Sequence, residues 1–343
     1  MKLKVAVLFG GQSVEHEVSR MSAASVLTNL DKEKYDIYRI GITREGKWIE
    51  YNGSIDKIEN GEWEHDECYK TPDGHKLIFN REVDVVFPVL HGFCGEDGTI
   101  QGLCKLANIP CVSCGVLSSA LIMDKAYSKY IADRFKIKQT KYFVVNEYQW
   151  KKSKEALINE VESHLGYDIF IKPSNGGSSI GITKAHNREE LARGIDFAFQ
   201  FDRKVVLELA LYAKDIEVAV LGNDEPIAST PGEIMPANEF YDYNSKYENE
   251  KSNTQIPPDL PFEILEELKS LAVKIYKIYD CSGMARVDFL LDINTSEIYF
   301  SELNTIPGFT RISLYPVMWE KSGKPYTDLL DELINLAIER NNR

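Results

Sequence analysis

Twice in the first third of the chain an apolar run breaks on glycines and passes into a helical pattern. Residues 5–9 (VAVLF) meet Gly10-Gly11, after which Val18, Met21, Ala24, Ser25 and Leu27 recur at helical spacing. Residues 83–90 meet the loop His91-Gly92-Phe93-Cys94-Gly95-Glu96-Asp97-Gly98, and a helix is expected over 99–107. A near-continuous apolar run suits a strand covered on both faces of a parallel sheet. Strand, glycine turn and helix open an α/β sheet whose ligands favour the strand carboxyl ends. Neither segment is GxGxxG, so no dinucleotide is implied. Glu17 complements the helix dipole, whereas Glu15 is a candidate to face the cleft and hold an ammonium. His91, at a strand end beside glycines, is a second candidate.

At 343 residues the chain exceeds one ordinary core, so two or three domains are expected. No apolar run approaches the roughly 20 residues of a membrane span, and the start shows no signal-peptide cleavage region. A net charge of −13 argues against a nucleic-acid partner, although a local basic pocket can still hold phosphates. Cys111-Val-Ser-Cys114 has redox or zinc spacing but no second CxxC or His pair, so buried thiols in a reducing cytoplasm are expected. A homodimer is the expected assembly.

Further strands are expected at 35–42 and 47–51, with 44–80 read as a charged, irregular insertion. From 125 onward the pattern is helix (125–135), strand (141–145), helix (about 151–165) and strand (169–172). Then Lys172-Pro173-Ser174-Asn175-Gly176-Gly177-Ser178-Ser179-Ile180-Gly181 precedes a strand at 180–185. Such a loop offers N–H groups and hydroxyls to an anion; it is not GxxxxGK[ST], so it is read as a phosphate lid of another kind. Glu208 ends a strand at 205–208, where it and the following backbone can read an adenine rim. Residues 239–254 form a long polar stretch of the sort that is functional or disordered. Amphipathic helices are expected at 261–279 and 326–340.

The strongest chemical signal is a hairpin. Residues 285–291 and 298–303 flank Asp292-Ile293-Asn294-Thr295-Ser296, a turn composition. Alternation puts Arg286 with Asp288 on one face, and Glu302 with Asn304 on one face. Asp288, Glu302 and Asn304 can thus gather as oxygen ligands for a hard cation such as Mg²⁺, which also takes substrate phosphates. A solvated outer sheet face remains the plainer alternative from this stretch alone.

Seven motifs together resemble the ATP-grasp superfamily, and within it the D-alanine–D-alanine ligase family. They are GGxSxEHEVS (10–19), LHGxxGEDGxxQG (90–102), MDK (123–125), IKPSxxGSSxGI (171–182), EFYDYxxKY (239–247), RVD (286–288) and ELNTxPGFT (302–310). The resemblance covers nearly the whole chain. It implies an ATP-grasp fold of mixed α/β and α+β type. Residues 1–123 would form an N-terminal open parallel α/β substrate domain, 124–207 a central ATP-grasp subdomain, and 208–343 a C-terminal one with metal site and lid loop. It implies that Lys125, Lys172, Ser179 and Lys246 serve the ATP phosphates and their lids, and that Glu208 and the backbone near Leu211 receive adenine. Asp215 stands where relatives use a longer carboxylate for the ribose. Asp288, Glu302 and Asn304 would ligate two Mg²⁺ ions, with Mn²⁺ able to substitute. Glu15 would bind the ammonium of the first D-alanine, with His91 nearby and Ser178 and Tyr247 in the same network. Arg286 and the Gly308 N–H would stabilise an oxyanion, while Ser313 and Leu314 receive the second carboxylate. The implied activity is ATP-dependent joining of two D-alanines through an acyl phosphate, for peptidoglycan. The alternative is a D-alanine–D-serine ligase; Tyr247 and Leu314 favour D-alanine, and Arg311 departs from the residues common in relatives.

Overall fold

The chain is described by a computed structural model covering residues 2–235 and 253–342. The first sheet has the order β4-β3-β2-β1-β5, with β1 (Leu3–Gly10) parallel to β2 (Tyr35–Ile42) and β5 (Val85–Pro88). Centrality explains the sequence of β1: Val5 through Phe9 have no exposed surface. β3 (Trp48–Tyr51) and β4 (Lys70–Pro72) extend the sheet antiparallel, so 44–80 is not the irregular insertion its composition suggests. Its helix Ile55–Asn60 is capped by Ser54 and is too short to show a period. Trp63 anchors the segment against Phe9 and Tyr51. A Cβ on Gly41 would lie 2.4 Å from the Trp63 ring, so glycine is required on β2 there.

The second sheet, β6-β9-β7-β8, is antiparallel throughout and comprises β6 (Tyr142–Asn146), β7 (Ile169–Pro173), β8 (Thr183–Ala185) and β9 (Lys204–Leu209). Helices Glu147–Leu165 and Arg188–Ala198 pack on it, and its core draws on residues 143–207. The helix Arg188–Ala198 escapes a reading by apolar period, but Asn187 accepts from the Glu190 N–H and marks its start. β8 starts three residues later than expected because the glycine loop runs on through Ile182.

The third sheet runs β13-β12-β10-β14-β15, with β11 (Ile227–Ala228) added to β10. Its strands are β10 (Ala213–Gly222), β12 (Gly232–Met235), β13 (Asn253–Gln255), β14 (Gly283–Asp292) and β15 (Ile298–Asn304). The hairpin β14–β15 is as expected. Helix Phe262–Ile278 covers one face. On the other side, helices Leu314–Lys321 and Tyr326–Asn341 enter one core with Val5, Val7, Phe9, Val85 and Phe87 of the first sheet. The two ends of the chain therefore share a hydrophobic interior.

Candidate active site

The N-terminal part of the site is built on two glycine loops that meet over Glu15. Glu15 is buried just before helix His16–Asn29, and Ser178 Oγ donates to its Oε1. A Cβ on Gly92 or on Gly177 would stand 2.5 Å from Glu15 Oε2, so only glycine lets both loops close on this carboxylate. Ser178 and Ser179 hold left-handed φ values of +49° and +60°, a strained conformation of the kind found at ligand clamps. His91 lies beside this carboxylate, and both its ring nitrogens are engaged. Nδ1 is 3.1 Å from the Ile306 carbonyl and Nε2 is 3.0 Å from Ser22 Oγ. A carbonyl only accepts, so Nδ1 carries the proton and Nε2 accepts from Ser22. Burial holds the ring's pKa below its ordinary value, consistent with that neutral form.

Glu96, not singled out from sequence, ties the same loops together. It accepts from Gly92 N at 2.9 Å and from Ile306 N at 3.1 Å. Burial, and then the Glu15 charge, push its pKa up to about 7.

The nucleotide side is a cluster of cations around one anion. Glu208 lies 3.0 Å from Lys129 Nζ and 3.1 Å from Lys172 Nζ, and accepts from Thr140 Oγ1 at 3.0 Å. Burial opposes its ionisation, but the two lysines hold its carboxyl below the usual range. Burial also acts against the charge of both lysines; at Lys172 the carboxylates outweigh it and raise the pKa, whereas at Lys129 burial wins. Lys129 was missed, though it sits four residues after Lys125 and so on the same helix face. Lys125 donates from Nζ to the Gly176 carbonyl at 2.6 Å and lies 3.9 Å from Glu302 Oε2. Leu211 is half-buried in the turn between β9 and β10, and Asp215 follows on β10.

The hairpin register sets Asp288 opposite Glu302 and Arg286 opposite Asn304. Arg286 donates twice to Asp288, at 2.7 Å each, and Asn304 Nδ2 donates to Asp288 Oδ2 at 2.9 Å. Burial would lower the Arg286 pKa, but Asp288 and Glu217 raise it well above ordinary, so the guanidinium is permanently charged. Glu217, also missed, stands opposite Asp288 on β10. Among the described residues no group of three or more His, Cys, Asp or Glu could hold a metal ion. Two carboxylates and an amide suit a cation that completes its shell with phosphate oxygens and water, which is the habit of Mg²⁺.

Beyond β15, a Cβ on Gly308 would lie 2.7 Å from Ser313 Oγ, which accepts from the Thr310 N–H at 3.0 Å. Ser313 is the N-cap of helix Leu314–Lys321, and the Leu314 side chain is in the core. Arg311 turns outward: its side chain is 77% exposed and 4.0 Å from Glu59. Lys246 and Tyr247, with most of the long polar stretch, lie outside the described residues.

The chain is similar to known proteins along its whole length. Family models described as D-ala D-ala ligase N-terminus and C-terminus match residues 4–114 and 131–335. The chain is 63% identical over 343 residues to the D-alanine--D-alanine ligase of Clostridium novyi (strain NT), covering 100% of both. It is 62% identical to that of Clostridium acetobutylicum, again covering 100% of both. Among solved structures it is similar to the VanG D-Ala:D-Ser ligase from Enterococcus faecalis, with a TM-score of 0.87, 40% identity, and 98% and 100% of the two chains covered. The D-alanine-D-alanine ligase from Coxiella burnetii gives a TM-score of 0.85 at 32% identity, with 99% and 95% covered. With both halves matched and full-length relatives this similar, the chain belongs to the D-alanine–D-alanine ligase family, of ATP-grasp fold.

Proposed function

We propose that this chain joins two molecules of D-alanine into D-alanyl-D-alanine, consuming ATP and working with Mg²⁺, to supply a peptidoglycan precursor. One unbroken string of contacts supports the reading. Glu15 meets Ser178, the same loop's Gly176 meets Lys125, Lys125 approaches Glu302, and Glu302 pairs with Asp288, which holds Arg286. Such a string supports a reading in which ammonium binding, phosphate binding and oxyanion stabilisation lie side by side.

A carboxylate acylates poorly, so the first D-alanine must be activated. Glu15 holds its ammonium, and its carboxylate attacks the γ-phosphate, giving ADP and an acyl phosphate. Lys125 and Lys172 orient and neutralise the phosphates, which is most of what such a transfer needs. Asp288, Glu302 and Asn304 would hold Mg²⁺, whose contribution is further neutralisation of phosphate charge. The neutral amine of the second D-alanine then attacks the acyl carbon. Arg286 and the Gly308 N–H meet the resulting oxyanion, while Ser313 and the helix start at Leu314 receive the carboxylate. The tetrahedral intermediate collapses by breaking the bond to phosphate, releasing inorganic phosphate and the amine proton and leaving the amide. Ser178 and Ser179 close over the phosphates and keep water from the acyl phosphate. His91 and Glu96 fix the loops around Glu15. Glu208, Leu211 and Asp215 receive the nucleoside. All six cysteines are free thiols, which favours a reducing, cytoplasmic setting.

The test is a product assay with D-alanine, D-serine and D-lactate in competition. D-alanyl-D-alanine should dominate. A pocket that accepts a methyl rejects an added hydroxyl only by about a hundredfold, so D-serine should be used poorly and D-lactate not at all. A dominant D-serine product would move the chain to the D-Ala:D-Ser class; absence of D-alanine-dependent ADP release would end the reading.

A further inference from the structure

Glu217, Asp288 and Glu302 stand in one row across β10, β14 and β15, each paired in register with the next. Like charges directly opposite one another destabilise a sheet, so this row requires an internal counter-ion. Arg286, two residues along β14, is that ion. Its Nε–H points to Asp288 Oδ1 at 2.7 Å, and Glu217 Oε2 stands 3.0 Å from the same nitrogen. Glu217 is only 8% exposed, so water is a poor substitute partner at that spot. A divalent cation at Asp288 would repel the guanidinium and compete with it for the same two oxygens.

We propose that Glu217 is a positioning residue that takes over the Nε–H of Arg286 when a divalent cation claims Asp288. The handover keeps the guanidinium buried, paired and aimed along the same sheet face, and it frees Asp288 at lower cost. A buried arginine stripped of its only carboxylate would otherwise resist metal loading. The inference rests on Asp288 as a cation ligand and on Arg286 as the oxyanion donor.

The test measures Mg²⁺ affinity for the enzyme–ADP complex by calorimetry, alongside kcat at saturating Mg²⁺. Glu217→Gln and Glu217→Asp should each weaken metal binding and lower kcat by about tenfold, the scale of one charged hydrogen bond. The aspartate keeps the charge but loses the reach, and it carries the test should the glutamine variant fail to fold. In an Arg286→Met background Asp288 is already released. Metal should bind more tightly there than in wild type, and adding Glu217→Gln should change it by less than about twofold. Wild-type behaviour of Glu217→Asp, or equal weakening by Glu217→Gln in both backgrounds, would overturn the handover in favour of a simple charge effect. Unchanged metal affinity in Asp288→Asn would remove the cation reading itself, and the handover with it.

Discussion

The two charge clusters of the site are mirror images. On the nucleotide side one anion, Glu208, lies between two cations, Lys129 and Lys172. On the hairpin side one cation, Arg286, lies between two carboxylates, Glu217 and Asp288. Each cluster keeps its surplus charge buried by pairing it internally, and each surplus has the sign its ligand needs. Lysine excess suits phosphate, and carboxylate excess suits a metal ion. The clusters differ in where the pairing must break. In the proposed reading the lysines keep Glu208 while a phosphate approaches, whereas Asp288 would have to give up Arg286 to serve a cation.

The comparison is broken most sharply at Asp288, the carboxylate proposed to change partner. Asp288→Asn keeps shape but loses charge, and turnover should fall about a thousandfold or more, several kcal/mol of transition-state stabilisation. The melting temperature should move by no more than about 3 °C. Near-normal ADP release at saturating Mg²⁺ would refute the metal assignment.

On the opposite cluster, Lys129→Met should act on stability before chemistry. Removing one partner of a buried pair costs roughly 3–5 kcal/mol; with Lys172 still in place, a loss of about 2 kcal/mol is expected. The sign with pH follows from Glu208, whose folded pKa is depressed. Its stabilisation is present above the unfolded carboxylate pKa and is lost as pH falls through the folded one. The gap between wild type and variant, followed by melts stepped down from pH 7 to the most acidic pH at which the fold survives, should therefore narrow only in strong acid, as pH approaches the depressed folded pKa. A gap that stays constant would show that Lys129 contributes packing alone.

Arg311→Ala should do least. The side chain is exposed and 4.0 Å from its carboxylate neighbour, a pairing worth under about 1 kcal/mol. The kcat/KM values for D-alanine and D-serine should each stay within about twofold of wild type. A reversed preference would put Arg311 in the second subsite despite its outward course.

Much of this was legible before the structure, and the reason differs by element. Arg286 with Asp288, and Glu302 with Asn304, were readable as same-face pairs because a strand alternates with a fixed period. The register that sets the two pairs opposite one another was not, since it is shifted between Asp288 and Phe289. The glycine loops at 91–98 and 174–181 were readable because few other roles require such residues together. Glu217 was not, since its meaning depends on β10 pairing with a strand some seventy residues later. Glu96 was hidden for a similar reason: its partners are Gly92 and the distant Ile306. Short helices such as Ile55–Asn60 left no period to read, and what placed them was the burial of Trp63.

The interior shared by the two chain ends sets an order of events during synthesis. Val5, Phe9 and Phe87 share a core with Phe309, Tyr315, Leu330 and Ile334 as well as with Val26, Leu27 and Trp63, so the early residues cover that face of the first sheet only in part until helix Tyr326–Asn341 emerges. The sheet over 142–209 closes on residues that are all made early. The middle of the chain can therefore mature first, while the beginning waits for the end.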